Sequence, residues 1–257
     1  MLAARDGAAV TRALRRFAVV VIRGLHLVPM EQVALTRLLG EPEPVTDWRN
    51  QHPGSADILV VSNSGDRPVV GNQVWHSDRS FLPQPTHYTM LRADLVPSHG
   101  GDTLFADMAA AFEQAPAGWA DVLADAIGVH TYDTIAQLRA RVHGKPVEHD
   151  YAERFPPVRH PVVRRDPVTG RRGFFLNELC LKRLERPDSQ PYTGPSVAEL
   201  HAHATRSQFV YRHRWQRGDV VIWDNTRVLH RADRLERGTA RVLHRTTTAA
   251  ERAPAAT

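Results

Sequence analysis

Two short segments decide how this chain of 257 residues is interpreted: Trp75–Asp78, which reads WHSD, and Trp223–His230, which reads WDNTRVLH. They supply two imidazoles and one carboxylate in the order His76, Asp78 and, far along the chain, His230. This is the ligand set of the facial triad, which holds non-haem ferrous iron on one face and leaves other positions open. The segments therefore predict an iron site with room for a co-substrate and oxygen.

The spacing of the ligands fits a β-rich fold. On an extended strand, residues two apart point to the same face, so His76 and Asp78 can reach one ion while Ser77 points away. His230 is then expected on a distant strand. The single Cys180 excludes a cysteine-rich zinc site and is typical of a small buried hydrophobic residue. From the triad alone, a zinc-dependent hydrolase and a non-catalytic jelly-roll binding protein stay open as alternatives.

The motifs that flank the triad help to decide among these classes of protein. The stretches that accompany the triad, in chain order, are Arg79–Phe81 (RSF), Gly100–Met108 (GGDTLFADM), Trp215–Asn225 (WQRGDVVIWDN) and Arg241–Thr247 (RVLHRTT). From about Phe17 to Thr248, the chain resembles the taurine dioxygenase (TauD/TfdA) family of iron- and 2-oxoglutarate-dependent oxygenases. The resemblance implies Fe(II), 2-oxoglutarate as co-substrate and O₂, and it separates the chain from nucleic-acid demethylases that share the triad.

The resemblance also implies roles for individual residues. His76, Asp78 and His230 are the iron ligands, and Thr103 and Arg241 hold the distal carboxylate of 2-oxoglutarate. The remaining matches are Trp223 and Asn72, which line the co-substrate site, and Arg245, which lies beside the substrate and the metal-bound end of 2-oxoglutarate. Physical chemistry agrees, because a buried dicarboxylate needs a fixed cation and arginine offers a planar fork of donors. Arg241 and Arg245 are four apart and share a strand face, whereas His244 points away.

The substrate is a small, anionic or amino-acid-like molecule in this interpretation, oxidised at a C–H bond, most simply by hydroxylation, with release of succinate and CO₂. Arg245 favours a carboxylate or sulfonate. Taurine-using members place a sulfonate-binding histidine where this chain has Val45, which argues against taurine. Cys180 falls near a substrate-facing position of those members and is predicted to line the pocket. Desaturation, cyclisation and decarboxylation stay open, whereas Asp78 fills the position that a related halogenase leaves vacant for chloride.

Composition favours one domain over residues 1–257. Many short strands and few helices predict a mainly β fold with flanking helices, the double-stranded β-helix or jelly roll, which the resemblance also implies. No apolar run is long enough to span a membrane, and no cleavage site follows Phe17–Ile22, so we expect a cytoplasmic protein. The net charge of +5 and pI of about 9.9 come without a basic tract, so nucleic acid is not an expected partner. Relatives commonly form dimers or tetramers, which implies a homo-oligomer.

Local patterns place the main elements. Helices are predicted at 8–16, 29–39, 107–115, 118–126 and 133–142, and after the Ser196–Glu199 capping box. Strands are predicted at 17–23, 57–62, around His76, and at 87–93, 128–132, 161–165, 172–176, 208–214, 219–223 and 240–248. Residues 133–160 are expected to form either a lid over the site or a disordered insertion. Residues 249–257 are expected to be a loose tail.

Overall fold

The computed structural model describes residues 7–46, 50–63, 72–144, 146–147, 150–188, 190–236 and 238–249. Its strands, in chain order, are β1 Val19–Ile22, β2 Gln51–His52, β3 Ser55–Ser62, β4 Thr86–Leu95, β5 Thr103–Asp107, β6 Ile127–His130, β7 Val158–Pro161, β8 Val163–Arg165, β9 Arg172–Phe174, β10 Leu181–Glu185, β11 Val210–His213, β12 Val220–Asp224, β13 Val228–Ala232 and β14 Val242–Ala249. Its helices are α1 Gly7–Phe17, α2 Pro29–Arg37, α3 Met108–Glu113, α4 Trp119–Val122, α5 Asp133–His143, α6 Tyr151–Arg154 and α7 Val197–Ala204.

Antiparallel sheets form the body of the molecule. The largest has six strands in the order β1-β12-β4-β14-β3-β2. Two three-stranded sheets, β11-β5-β13 and β10-β6-β7, and the β8-β9 hairpin complete the set. A buried cluster joins the six-stranded sheet to the β5–β13 sheet through Phe105, Trp223, Val228 and Leu243. The fold is thus the expected mainly β jelly roll with flanking helices.

Strand β12 of the six-stranded sheet is buried on both of its faces. All five of its residues are buried. Val220 and Ile222 pack against α1 in one cluster, whereas Val221 and Trp223 belong to the cluster inside the sandwich. A strand covered on both faces needs an unbroken apolar run, which is what the sequence VVIW provides. The helix α1 therefore closes the outer face and keeps Trp223 directed toward the interior.

Most of the predicted elements are present. Helices form at the N-terminal stretch, from Pro29 and at residues 133–143. The predicted capping box begins α7: the Ser196 hydroxyl accepts a hydrogen bond from the backbone N–H of Glu199, and the Glu199 carboxylate accepts one from the backbone N–H of Ser196. The helix expected over 118–126 is only α4, one turn long. Of the residues described, no helix is long and apolar enough to cross a bilayer.

One strand prediction near the triad needs correction. His76 is not on a strand: it forms a single bridge with His230, and a turn begins at Asp78. His230 lies on β13, a strand that the local pattern did not mark separately. The region predicted as a lid or a disordered insertion contains α5, α6 and the start of β7, and Phe155 packs against Phe81 and Tyr132 with ring centroids 5.3 Å and 4.5 Å apart. Its role as a lid stays a prediction, and residues 250–257 of the predicted tail lie outside the described residues.

Candidate metal and co-substrate site

The three predicted iron ligands meet in the structure. One ligand atom from each of His76, Asp78 and His230 lies within 4.8 Å of the others. Asp78 Oδ1 is 3.9 Å from His76 Nε2 and 4.0 Å from His230 Nε2. Among the described residues this is the one group of three or more histidine, cysteine or acidic side chains with metal-binding geometry.

Backbone pairing, rather than a shared strand, brings the ligands together. His76 and His230 exchange both of their backbone hydrogen bonds, His76 N to His230 O at 3.0 Å and His230 N to His76 O at 2.8 Å. Asp78 then folds back over the pair because the chain turns immediately after Ser77, whose side chain is buried. One residue, Ser77, separates His76 from Asp78 in the sequence, and a bridge followed by a turn directs both side chains to one ion-sized space.

The protonation states of the ligands suit a cation. Burial alone would raise the pKa of Asp78, but the charges of Arg245, His230 and His76 and the hydrogen bond from Thr89 outweigh it and hold the pKa well below its usual value. Burial, aided by the neighbouring His76, lowers the pKa of His230 to about 3. At neutral pH the site therefore presents an ionised carboxylate and a neutral imidazole, which are the forms that bind metals.

The orientation of His76 points its free nitrogen at the shared space. Its Nδ1 lies 2.8 Å from the carbonyl oxygen of Val74. A carbonyl only accepts hydrogen bonds, so Nδ1 carries a proton and Nε2 is the nitrogen with the lone pair in the neutral imidazole. Metal-bound histidines commonly have such a fixed second nitrogen. His76 thus fits a metal ligand in tautomer as well as in position.

The residues predicted to hold the distal carboxylate of 2-oxoglutarate both lie at the start of β5, where Arg241 contacts Gly101 and Thr103 is two residues further on. Arg241 is 4 % exposed, it donates to the carbonyl of Gly101, and within the described chain its buried Nε has no partner. Burial lowers the pKa of Arg241, and the charge of Asp102 offsets part of that shift. Among the described residues, no carboxylate forms an ion pair with Arg241. Thr103 is equally buried, and its Oγ1 accepts a bond from Trp215 Nε1 at 3.0 Å.

The glycines before Thr103 make this arrangement sterically feasible. Gly100 and Gly101 have φ values of +77° and +68°, which side chains rarely adopt. A Cβ atom on Gly101 would lie 2.6 Å from the side chain of Leu235 and 3.3 Å from that of Arg241. The glycine pair therefore lets Arg241 approach the backbone at the start of β5. A buried cation with an unpartnered donor, held against the backbone two residues before a buried hydroxyl, fits a carboxylate.

The remaining predicted residues surround these two centres. Arg245 Nη1 is 3.4 Å from Asp78 Oδ1, and its side chain is one-quarter exposed. Trp223 packs its ring against His230 at a centroid distance of 4.7 Å. Asn72 is half-buried, and its carbonyl accepts a bond from the backbone of Ala232, two residues after His230. His244, as expected, faces away and contacts Arg92.

The two residues predicted to line the substrate pocket are less open to a ligand. Cys180 is 1 % exposed, and its thiol lies against Ser80 in the turn after Asp78. Val45 is half-buried and packs on the cluster that contains Trp223. Their contribution to substrate binding stays a prediction.

Three neighbours of the site were not identified from the sequence: Trp215, Asn225 and Thr89. Trp215 contacts Thr103, whereas Asn225 and Thr89 both hydrogen-bond to Asp78. Trp215 and Asn225 stand inside the motif Trp215–Asn225, so their type and place were visible although their partners were not. Thr89 had no signal, because a threonine in a strand is ordinary.

Comparison with known proteins identifies the family. The model of the taurine catabolism dioxygenase TauD, TfdA family matches residues 1–247. The chain belongs to this family. It is 35 % identical over 254 residues to an alpha-ketoglutarate-dependent 2,4-dichlorophenoxyacetate dioxygenase from Cupriavidus pinatubonensis, covering 93 % of this chain and 87 % of that protein. It is 31 % identical over 237 residues to an alpha-ketoglutarate-dependent sulfate ester dioxygenase from Pseudomonas putida, covering 87 % and 74 %.

A solved relative supports the same conclusion. The crystal structure of AAD-2 in complex with Mn(II) and N-oxalylglycine matches with a TM-score of 0.80 and 27 % identity, over 97 % of this chain and 91 % of that one. The TauD/TfdA chain described here is an enzyme, an Fe(II)- and 2-oxoglutarate-dependent dioxygenase. The family membership favours the oxygenase over the two alternatives, the zinc hydrolase and the binding protein.

Proposed function

We propose that His76, Asp78 and His230 hold the ferrous ion and that Thr103 and Arg241 hold the distal carboxylate of 2-oxoglutarate. The observation that carries this assignment is the pairing of the triad with a buried arginine that has an unpartnered Nε and no ion-pair partner among the described residues. A buried guanidinium without an anion is costly, and a bound dicarboxylate removes that cost. Trp223 and Asn72 line the space between the two centres.

The proposed reaction is hydroxylation of a C–H bond. Iron, when bound, supplies the oxygen activation, and 2-oxoglutarate is the two-electron reductant. One oxygen atom of O₂ enters succinate as CO₂ leaves, and the other enters the substrate as a hydroxyl group. The chain keeps the reactants in place through Arg241, Thr103 and the triad, and the buried cluster around Trp223 and Phe105 keeps water from the rear of the site.

The proposed substrate is a small organic anion. Arg245 is the charged group next to Asp78 that retains exposure, so it is available to a carboxylate, sulfonate or sulfate. The names of two relatives, a 2,4-dichlorophenoxyacetate dioxygenase and a sulfate ester dioxygenase, both specify anionic substrates. Val45, where taurine-using members have a histidine, makes taurine itself the less favoured candidate.

Anaerobic spectroscopy tests the assignment of the metal and co-substrate residues. Addition of ferrous iron and 2-oxoglutarate to the intact enzyme should produce a weak visible charge-transfer band, which His76→Ala and Arg241→Met should lose or weaken. The exposed Arg159, paired with Glu185, offers a matched control as Arg159→Gln. A band of unchanged intensity in His76→Ala would place the metal elsewhere.

A substrate panel then tests the anion. Aryloxyalkanoates, alkyl sulfates and sulfonates are compared with uncharged analogues, and succinate and hydroxylated product are measured together. We expect Arg245→Gln to raise KM for the anions more than for the analogues. Equal effects on both classes would contradict the proposed role of Arg245.

A further inference from the structure

The amide of Asn225 has only one consistent orientation. Its Oδ1 lies 3.1 Å from the backbone nitrogen of Asp78 and 3.1 Å from Trp223 Nε1. Both of these groups can only donate, so the atom between them must be the amide oxygen. The amide nitrogen is therefore on the other side, where it donates to Thr89 Oγ1 at 2.9 Å and to the carbonyl of His87 at 3.2 Å.

This orientation fixes the hydroxyl proton of Thr89. Because Asn225 supplies the proton in its bond with Thr89, the hydroxyl of Thr89 must give its own proton to another acceptor. That acceptor is Asp78 Oδ2, at 2.6 Å. The three residues close a ring: Asp78 N–H to Asn225, Asn225 to Thr89, and Thr89 back to the Asp78 carboxylate.

Two residues of this hydrogen-bonded ring, Thr89 and Asn225, belong to a rigid part of the fold. Thr89 is fully buried and lies on β4, where it pairs with Trp223 on one side and Thr247 on the other. Asn225 is 2 % exposed and follows β12 directly. Sites built on central strands keep their geometry better than sites on loops. Thr89 thus meets Asp78 at a fixed place, although Asp78 itself lies in a turn.

The two carboxylate oxygens of Asp78 consequently differ. Oδ1 faces His76 Nε2, His230 Nε2 and Arg245, whereas Oδ2 is occupied by the Thr89 hydroxyl. Carboxylates bind metals through one oxygen or through both. A second oxygen on the metal would fill a position that a facial triad leaves open for the co-substrate and oxygen.

We propose that Thr89 and Asn225 are positioning residues that make Asp78 a one-oxygen ligand and keep its second oxygen off the metal. The proposal deepens the proposed function, because it rests on the assignment of the metal to His76, Asp78 and His230. It concerns the ligand geometry and not the substrate. Partners of metal ligands typically change metal affinity or activity by about 10- to 100-fold when removed.

Cobalt(II) replaces ferrous iron in the test, because its visible absorption reports coordination number without turnover. Thr89→Val removes the hydroxyl at nearly constant volume, and Thr89→Ser retains it. We expect Thr89→Val to change the Co(II) spectrum toward a higher coordination number and to change Co(II) affinity by about 10-fold or more. Thr89→Ser should restore both the spectrum and the affinity of the unmodified enzyme.

Thr86→Val is the matched control. Thr86 is another buried threonine of β4, and its hydroxyl donates to a carboxylate, Glu43 Oε2, at 2.7 Å. This variant should lower the melting temperature of the metal-free protein but leave the Co(II) spectrum unchanged. If Thr89→Val has the spectrum and affinity of the unmodified enzyme, or if Thr86→Val changes them equally, the proposal is overturned. If the unmodified enzyme binds Co(II) no better than His76→Ala does, the metal assignment itself fails.

Discussion

Trp215 should influence the affinity of the enzyme for 2-oxoglutarate through Thr103, without a direct contact to the co-substrate. Its indole N–H donates to Thr103 Oγ1 at 3.0 Å, and both side chains are buried. An indole N–H is a donor only, so the hydroxyl of Thr103 must direct its proton to a different acceptor. The distal carboxylate of 2-oxoglutarate, held by Arg241, is the acceptor that we propose.

Trp215→Phe removes this donor and keeps an aromatic ring against His213, whose ring centroid is 4.5 Å away. The hydroxyl of Thr103 then rotates among several orientations and loses its preset direction. One neutral hydrogen bond contributes about 0.5–1.5 kcal/mol, which corresponds to a KM for 2-oxoglutarate raised by about 2- to 12-fold. Turnover at saturating 2-oxoglutarate should change little, because the hydrogen bond and ring contact of Trp215 go to Thr103 and His213, and not to the proposed metal ligands among the described residues.

Succinate formation as a function of 2-oxoglutarate concentration measures this effect, and anaerobic titration of the visible band gives the affinity directly. Trp119→Phe is the matched control, since Trp119 on α4 packs near His203, in a different cluster from Trp215. The reasoning is refuted if Trp215→Phe leaves both the KM and the affinity unchanged, or if Trp119→Phe raises them to the same extent.

Three other predictions concern charge and burial. Arg241→Met should weaken 2-oxoglutarate binding by about 10- to 150-fold, the value of one charged hydrogen bond, and an anaerobic titration showing less than about a threefold loss would contradict the assignment. Burial lowers the pKa of four histidines to about 4, below their ordinary value of 6.5: His160, His201, His213 and His244. The unfolded chain binds more protons between these values, so the metal-free protein should be fully stabilised above pH 6.5 and lose stability as the pH falls toward 4, by about 1.4 kcal/mol per pH unit for each histidine. Urea unfolding across this window should show the decline, and His201→Gln should reduce its slope; a flat profile would be inconsistent with buried neutral histidines. Burial raises the pKa of Cys180 to about 11, so thiol reagents should label it only after unfolding, and rapid labelling of the native enzyme would show that the pocket opens to this side chain.

The sequence was sufficient to locate the three residues of the candidate metal site, because the chemistry of such a site depends on residue type and order. His76, Asp78 and His230 were identified without any knowledge of which strands pair. The shared strand predicted for His76 and Asp78 is absent, since His76 is in a bridge and not in a strand. Local periodicity reports only nearby residues, whereas the bridge is imposed by β13 from far along the chain.

Residues that act across the sheet could not be found in this way. Thr89 reaches Asp78 because β4 pairs with β12 in one particular register, with Trp223 opposite Thr89. A shift of one residue would turn the hydroxyl to the other face of the sheet. The sequence therefore predicts what the site contains, whereas the strand register decides which further side chains orient it.

The mutual backbone bonds of His76 and His230 have a consequence for how the enzyme is assembled. About 150 residues separate the two histidines, so closing this loop is an entropic barrier that local structure cannot lower. During synthesis, His230 emerges long after His76 and Asp78. Metal should therefore slow unfolding of the finished protein without accelerating its folding, and stopped-flow refolding with and without Co(II) would detect this asymmetry.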